Sequence, residues 1–237
     1  MVAAAGIERK AVSPVGTIRV AARAGSADLV DHGVDLALAL AHRWTLTDPE
    51  SELSLLNLAG GSRVVVPEDT FRLLTRVRWA WRASHGRYDP GLGSTGGTGP
   101  RMRLDPAGRA VRLAPDVHLD PGPLGPASIT DDVAAALARA GSVAVWVQVG
   151  THRRAVRAGP GDAPWAAPGL APVSGAPAAS WPGHPEPGAG PVALGPAAWL
   201  TAACMAVLER SLRWIPAGSS IPGWRPPGVV VHLAAAV

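Results

Sequence analysis

Residues 50–93, ESELSLLNLAGGSRVVVPEDTFRLLTRVRWAWRASHGRYDPGLG, constrain the fold more than any other stretch, because hydrophobic period, turn residues and clustered polar groups agree there. An opening turn at Asp48-Pro49 leads into a short helix carrying Leu53 and Leu56, then a strand over 64–66. Pro67 suits the first position of a second helix, where its missing N–H costs nothing, and Glu68 and Asp69 suit the positive end of the helix dipole. Phe71, Leu74, Val77 or Arg78, and Trp81 recur at helical spacing and predict one apolar stripe with arginines beside it. The segment closes on a Ser-His-Gly-Arg-Tyr-Asp-Pro-Gly-Leu-Gly loop. Its glycines permit close backbone approach, and Tyr88 and Asp89 offer a ring and a carboxylate to a ligand.

On either side the pattern is mixed helix and strand. Residues 16–22 (GTIRVAA) alternate as a strand, and Ser26 is placed to cap a helix ending at about His42, with Val30, Val34, Leu38 and Ala41 on one face. A hairpin is expected over 103–113 around Asp105-Pro106-Ala107-Gly108. A strand ending at Asp120 then meets a loop and a helix, with Thr130 as its cap and Val133, Leu137 and Ala140 inward. Gly141 ends that helix, and 143–149 form a buried strand. Pro196 opens a last helix with Leu200, Cys204 and Leu208 inward, and 224–233 turn into a final strand. The expectation is an α+β (mixed α/β) fold with about four helices. It forms one domain over 14–237, with 1–13 as an N-terminal tail and 157–195 as a Pro/Gly/Ala-rich loop or lid.

Composition narrows the function classes. Charged residues make up 17% of the 237, below the roughly 25% usual for soluble domains. A pI near 10.4 raises nucleic-acid binding as a reading. Against it, the arginines are spread along the chain with only Arg153-Arg154 adjacent, and no zinc-finger, helix-turn-helix or ribonucleoprotein pattern occurs. The glycine-dense residues 91–99 lack the lysine and the strand-to-helix setting of a phosphate-binding loop. Cys204 is the only cysteine, which excludes an intrachain disulfide and a cysteine metal cluster. No apolar window of membrane-spanning length occurs, and the N-terminus lacks a signal-peptide pattern, so the expected location is cytoplasmic.

SELSLLNLAGG, the helix after it and HGRYDPGLG together resemble the N-terminal half of the FAD:protein FMN transferase (ApbE-like) family. That family carries S-E-L-S-x-L-N, a short strand, a helix and G-x-[FY]-D-P-x-x-G in the same order. The family's D-L-G-G-[IV]-[AG]-K-G-Y-A-x-D motif falls on 120–131, with its first aspartate at Asp120, its first glycine at Gly122 and its last aspartate at Asp131. The resemblance implies FAD as cofactor, held by Arg87, Tyr88, Asp89, Asp120 and Gly122. It further implies Mg-dependent transfer of FMN to a Thr or Ser hydroxyl of an FMN-binding-domain flavoprotein.

The chain departs from the family at the chemistry. The motif lysine falls on Pro126, the G-G-D after the next strand becomes Gly150-Thr151-His152, and an aspartate and threonine of the last helix fall on Ala202 and Ala206. Oxygen ligands four residues apart share one helical face, as a hard cation requires, and methyl groups there supply none. No metal ligand and no catalytic residue is therefore assigned. The late T-S-G and histidine segments survive only as Val173-Ser174-Gly175 and a loose match at His184. Two readings of function stand: an FMN transferase, or an inactive relative that binds flavin or protein as a scaffold. Nucleic-acid binding is a distant third.

Overall fold

A computed structural model describes residues 7–23, 27–92, 101–142, 144–156, 178–180, 192–195, 197–212 and 230–232. Its centre is a seven-stranded sheet built from β1 (Ile7–Ser13), β2 (Gly16–Arg23), β8 (Ala144–Val149), β9 (His152–Val156), β10 (Ala178–Ser180), β11 (Val192–Gly195) and β12 (Val230–His232), in that spatial order. Every pairing in it is antiparallel. Three helices, α1 (Ala27–Arg43), α4 (Leu124–Arg139) and α5 (Ala198–Leu212), pack against it, with α4 between the other two. Between α1 and α4 the chain adds α2 (Glu52–Leu58), β3 (Val64–Val65), α3 (Glu68–Ala83), β4 (Gly91–Leu92), β5 (Met102–Asp105), β6 (Ala110–Leu113) and β7 (His118–Leu119). Strands β3, β6 and β5 form a second sheet, and β4 pairs with β7. This is the mixed α+β fold expected, with five helices among the described residues where about four were expected.

Period-two patterning decides which face of the large sheet is dry. Ile18, Val20 and Ala22 of β2 and Val145, Val147 and Val149 of β8 are buried together, and Val20 sits opposite Val147 in the register. Val30, Val34, Ala37, Leu40 and Ala41 of α1 cover them, with Leu124, Val133 and Leu137 of α4 alongside.

Five sequence expectations need correction. Ile7–Ser13, read as tail, is a full strand paired with β2 from Ile7↔Ala22 to Ser13↔Gly16; Ile7 and Ala11 rest on the core while Arg9 pairs with Asp31 at 2.8 Å. Residues 157–195, read as loop or lid, contain β10 and β11, and the remainder of that segment, including His184, lies outside the described residues, as does Ser26. In α3 the buried stripe is Thr70, Leu73, Leu74, Val77 and Ala80, whereas Phe71 and Trp81 are only partly buried. Thr70 enters that stripe because its hydroxyl accepts the Trp44 indole N–H at 2.9 Å and donates to Glu52, so its polar group is satisfied. Pro67 is the cap of α3 rather than its first residue.

The fifth correction matters most. Helix α4 begins at Leu124, seven residues earlier than a cap at Thr130 would place it. Pro123 caps it, and Pro126 lies in the first turn, where the amides have no intrahelical partner to lose. Gly125, having no Cβ, relaxes the restriction that a proline places on the residue before it. Thr130 is therefore interior and returns its hydroxyl to the Pro126 carbonyl at 2.8 Å. Asp131 and Asp132 are buried in the middle of a helix instead of decorating its start.

Candidate functional site

The two motif segments meet where β4 pairs with β7, Gly91 opposite Leu119 and Leu92 opposite His118. The Asp120 amide donates to the Pro90 carbonyl at 2.7 Å, extending that pairing by one bond. Tyr88 is 4% exposed, and its hydroxyl donates to the Pro121 carbonyl at 2.9 Å. Its ring is thus core rather than a surface on which a flavin stacks. Asp89 accepts the Gly91 amide at 3.0 Å and Asp120 accepts that of Gly122 at 2.7 Å, each closing a turn of its own loop. Arg87 is exposed, Asp89 and Asp120 are half-buried, and Gly122 is exposed with φ 52°. The five residues assigned to the cofactor therefore come from two neighbouring loops. Tyr88 fastens the loops to each other, and Arg87, Asp89 and Asp120 lie at the surface.

The S-E-L-S-x-L-N segment supplies the frame beneath. Ser51 caps α2 by accepting the Ser54 amide at 3.1 Å, and its own hydroxyl donates to the Thr45 carbonyl at 2.5 Å. Glu52 accepts from Thr70 and pairs with Arg43 at 3.0 Å, and Arg43 also holds Asp69. Asn57 reaches across to β7 and makes two bonds with the Leu119 backbone. The motif was visible in the sequence; that its polar residues fasten helices and a strand, instead of facing a ligand, was not.

The loop 121–127 does not offer a phosphate cradle. Pro121, Pro123 and Pro126 have no N–H. The amides between them are engaged within the loop: Leu124 to the Pro121 carbonyl at 3.1 Å, Gly125 to that of Gly122 at 3.1 Å, and Ala127 to that of Pro123 at 3.3 Å, with Gly122 on Asp120. A diphosphate at a helix N-terminus is held by amides that point outward, and these donate to carbonyls and a carboxylate of their own loop.

The last motif aspartate is also committed. Asp131 Oδ1 accepts the Ala198 amide and Oδ2 the Trp199 amide, both at 2.9 Å, and Arg154 Nη1 stands 3.6 Å from Oδ1. Burial pushes its carboxyl up, against the two amides and the nearby Arg154 and Arg76. Asp132 faces the other way, toward Arg76 at 2.8 Å and Arg72 at 3.2 Å. On α5, Ala202 is fully buried and Ala206 partly so, and both lie against the core. These residues do not fit a magnesium ion: both carboxylate oxygens are already engaged by backbone amides and the two helix positions carry no oxygen. His152 is 4% exposed on β9, and burial lowers its imidazole to about 4.

The fold is that of the flavin transferases. It superposes on Pseudomonas stutzeri flavinyl transferase ApbE in its apo form with a TM-score of 0.68 at 16% identity, over 90% of this chain and 91% of that one. The ApbE protein of Thermotoga maritima gives 0.69 at 14%, over 88% and 89%, and the flavin transferase ApbE of Vibrio cholerae 0.65 at 11%, over 98% and 97%. Residues 15–98 match the model of the ApbE family, which spans the first motif, and no curated protein sequence matches the chain. The chain is thus similar to the ApbE family over 15–98 and shares the fold of these structures.

Proposed function

We propose that this chain is an FAD:protein FMN transferase-like protein that keeps the family's scaffold without its metal-dependent transfer chemistry, and that it serves as a flavin- or protein-binding scaffold. One observation carries the reading: Asp131, the last aspartate of the second motif, has both oxygens occupied by the α5 amides. Phosphoryl transfer depends on positioning and on neutralising charge at the phosphates, commonly by a metal. Residues 121–127 present prolines and engaged amides in place of a cradle. Of the five residues assigned to the cofactor, only Arg87 carries positive charge, so a bound dinucleotide would lean on Arg87 beside the Asp89 and Asp120 loops.

The active-transferase reading rests on the family match over 15–98 and on the shared fold. Nucleic-acid binding finds less support, because Arg9, Arg19, Arg43, Arg63, Arg101 and Arg154 each have an acidic neighbour within ion-pair distance. The deciding experiment incubates the purified chain with FAD, Mg²⁺ and an FMN-binding acceptor domain, then looks for a fluorescent flavin band on a denaturing gel. The scaffold reading expects no band, and a rise in melting temperature with FAD that does not depend on metal. A covalent band that disappears in Asp120→Ala would establish the transferase instead.

A further inference from the structure

Asp131 and Asp132 are neighbours in sequence whose side chains serve different parts of the molecule. Asp132 ties α4 to α3 through Arg76 and Arg72, whereas Asp131 reaches the first two residues of α5. The first four amides of a helix lack intrahelical partners and carry its partial positive charge, so a carboxylate there is stabilised by both bonds and dipole. Such caps ordinarily come from the residue just before the helix. Here the cap comes from another helix, 67 residues away in sequence. Arg154, on β9 beneath, is the nearest countercharge, and its Cα partner in the sheet is Ala178 of β10.

That geometry places one buried charge at the seam between two halves of the fold. On one side stand β1, β2, β8, α1 and α4; on the other, α5 packs on β10 and β11, and β12 pairs with β11. We infer that Asp131 is a latch: its two carboxylate oxygens dock α5, and with it the β10–β11–β12 edge, onto α4, and removing that paired acceptor releases this unit while the rest of the fold stays closed. The inference concerns docking of α5 and holds whether or not the chain transfers flavin. Segments of a domain can open separately; this seam also carries the β9–β10 pairing, the buried Ala198, Ala202, Ala203 and Val207 of α5 and the edge-on contact of Trp199 with Trp79, and within it one carboxylate takes the first two α5 amides.

Native-state hydrogen exchange on the full chain tests this, with Asp131→Asn and Arg154→Met beside the parent. Asn keeps the shape and one acceptor but loses the charge and leaves one amide with a donor facing it. A hydrogen bond to a charged group contributes about 1.5–3 kcal/mol, so exchange across α5, β10 and β11 is expected to speed up by about 10- to 100-fold, with α1, β2 and β8 changing by less than about threefold. Arg154→Met, which leaves the cap in place, gives the same regional pattern at smaller amplitude and decides the matter if Asp131→Asn does not fold. Equal acceleration in both halves, or unchanged exchange in α5, would overturn the latch.

Discussion

Asn57 and Leu119 are joined twice: the Asn57 amide donates to the Leu119 carbonyl at 3.0 Å, and its carbonyl accepts the Leu119 amide at 2.8 Å. The side chain thereby acts as a short extra strand beside β7 and fixes where Asp120 begins. Among the described residues, α2 reaches the second motif by this contact.

Asn57→Ala removes both bonds and leaves the Leu119 amide and carbonyl without their side-chain partner in a protected place. A loss of about 2 kcal/mol is expected, seen as a lower midpoint in urea with unchanged slope. Asn57→Asp keeps the acceptor for the Leu119 amide and loses the donor, setting a carboxylate against a carbonyl. It should be no better than Asn57→Ala at neutral pH and should recover part of the loss when acidified. If both variants match the parent, the clamp contributes nothing to stability.

His152 predicts a pH dependence. Unfolded, its imidazole binds a proton near 6.5; folded, burial lowers that to about 4. Between those values the unfolded chain binds the proton and the native one does not. The stability this group contributes is complete above 6.5 and is lost as pH falls toward 4, by at most about 3 kcal/mol. Asp131 acts with opposite sign: its folded value is raised by burial, so its contribution falls as pH rises through that value, and acidification returns it. Urea midpoints between pH 7 and pH 5 should therefore drop in the parent and drop less in His152→Leu, which also starts lower because burial contacts are lost. Parallel curves for the two would remove His152 from the account.

What the sequence revealed follows from which forces act locally. The strand at Gly16–Arg23, the hairpin of β5 and β6, and α2 with its Ser51 cap were legible because alternation, turn chemistry and capping act within a few residues. The start of α4 was not, because three prolines suggest a loop unless they fall before the helix and in its first turn, where proline is tolerated. The tail proved to be β1 because IERKAVS, with its run of charges, becomes a strand only when β2 is present to pair with it. The site residues divide in the same way. The motifs located Tyr88, Asp89 and Asp120, but that Tyr88 faces inward and that Asp131 serves α5 depend on partners 33 and 67 residues away.

Gly33 marks a contact that periodicity alone does not disclose. It sits in the middle of α1, where glycine costs about 1 kcal/mol relative to alanine, so propensity alone favours replacement. A Cβ built there, however, would stand 2.8 Å from Leu137 Cδ1 and 3.2 Å from Val20 Cγ1, both in the core between α4 and β2. Gly33→Val should lose about 2–4 kcal/mol by thermal or urea unfolding, since the crowding outweighs any gain in propensity. Gly33→Ala paired with Leu137→Val should be more stable than Gly33→Ala alone, because the shorter side chain gives back the space. Additive effects in that pair would mean the two helices adjust elsewhere.

Arg76 and Asp132 allow the two roles of a buried ion pair to be separated. Their side chains are 15% and 9% exposed and meet at 2.8 Å, with Arg72 a second, more exposed partner at 3.2 Å. Taking two charges out of water costs nearly as much as their attraction returns, so the pair adds little net stability, yet removing one partner strands the other. Arg76→Met should therefore cost about 2 kcal/mol, less than a fully isolated carboxylate would, because Arg72 still faces Asp132. Asp132→Leu alone leaves Arg76 able to turn outward and should cost less. The double variant should lie close to the parent, giving a coupling of about 2–3 kcal/mol in the thermodynamic cycle. Helix α3 would then be held to α4 by packing, with the ion pair fixing only which faces meet. A double variant as unstable as the sum of the singles would show instead that the charges themselves hold α3 in place.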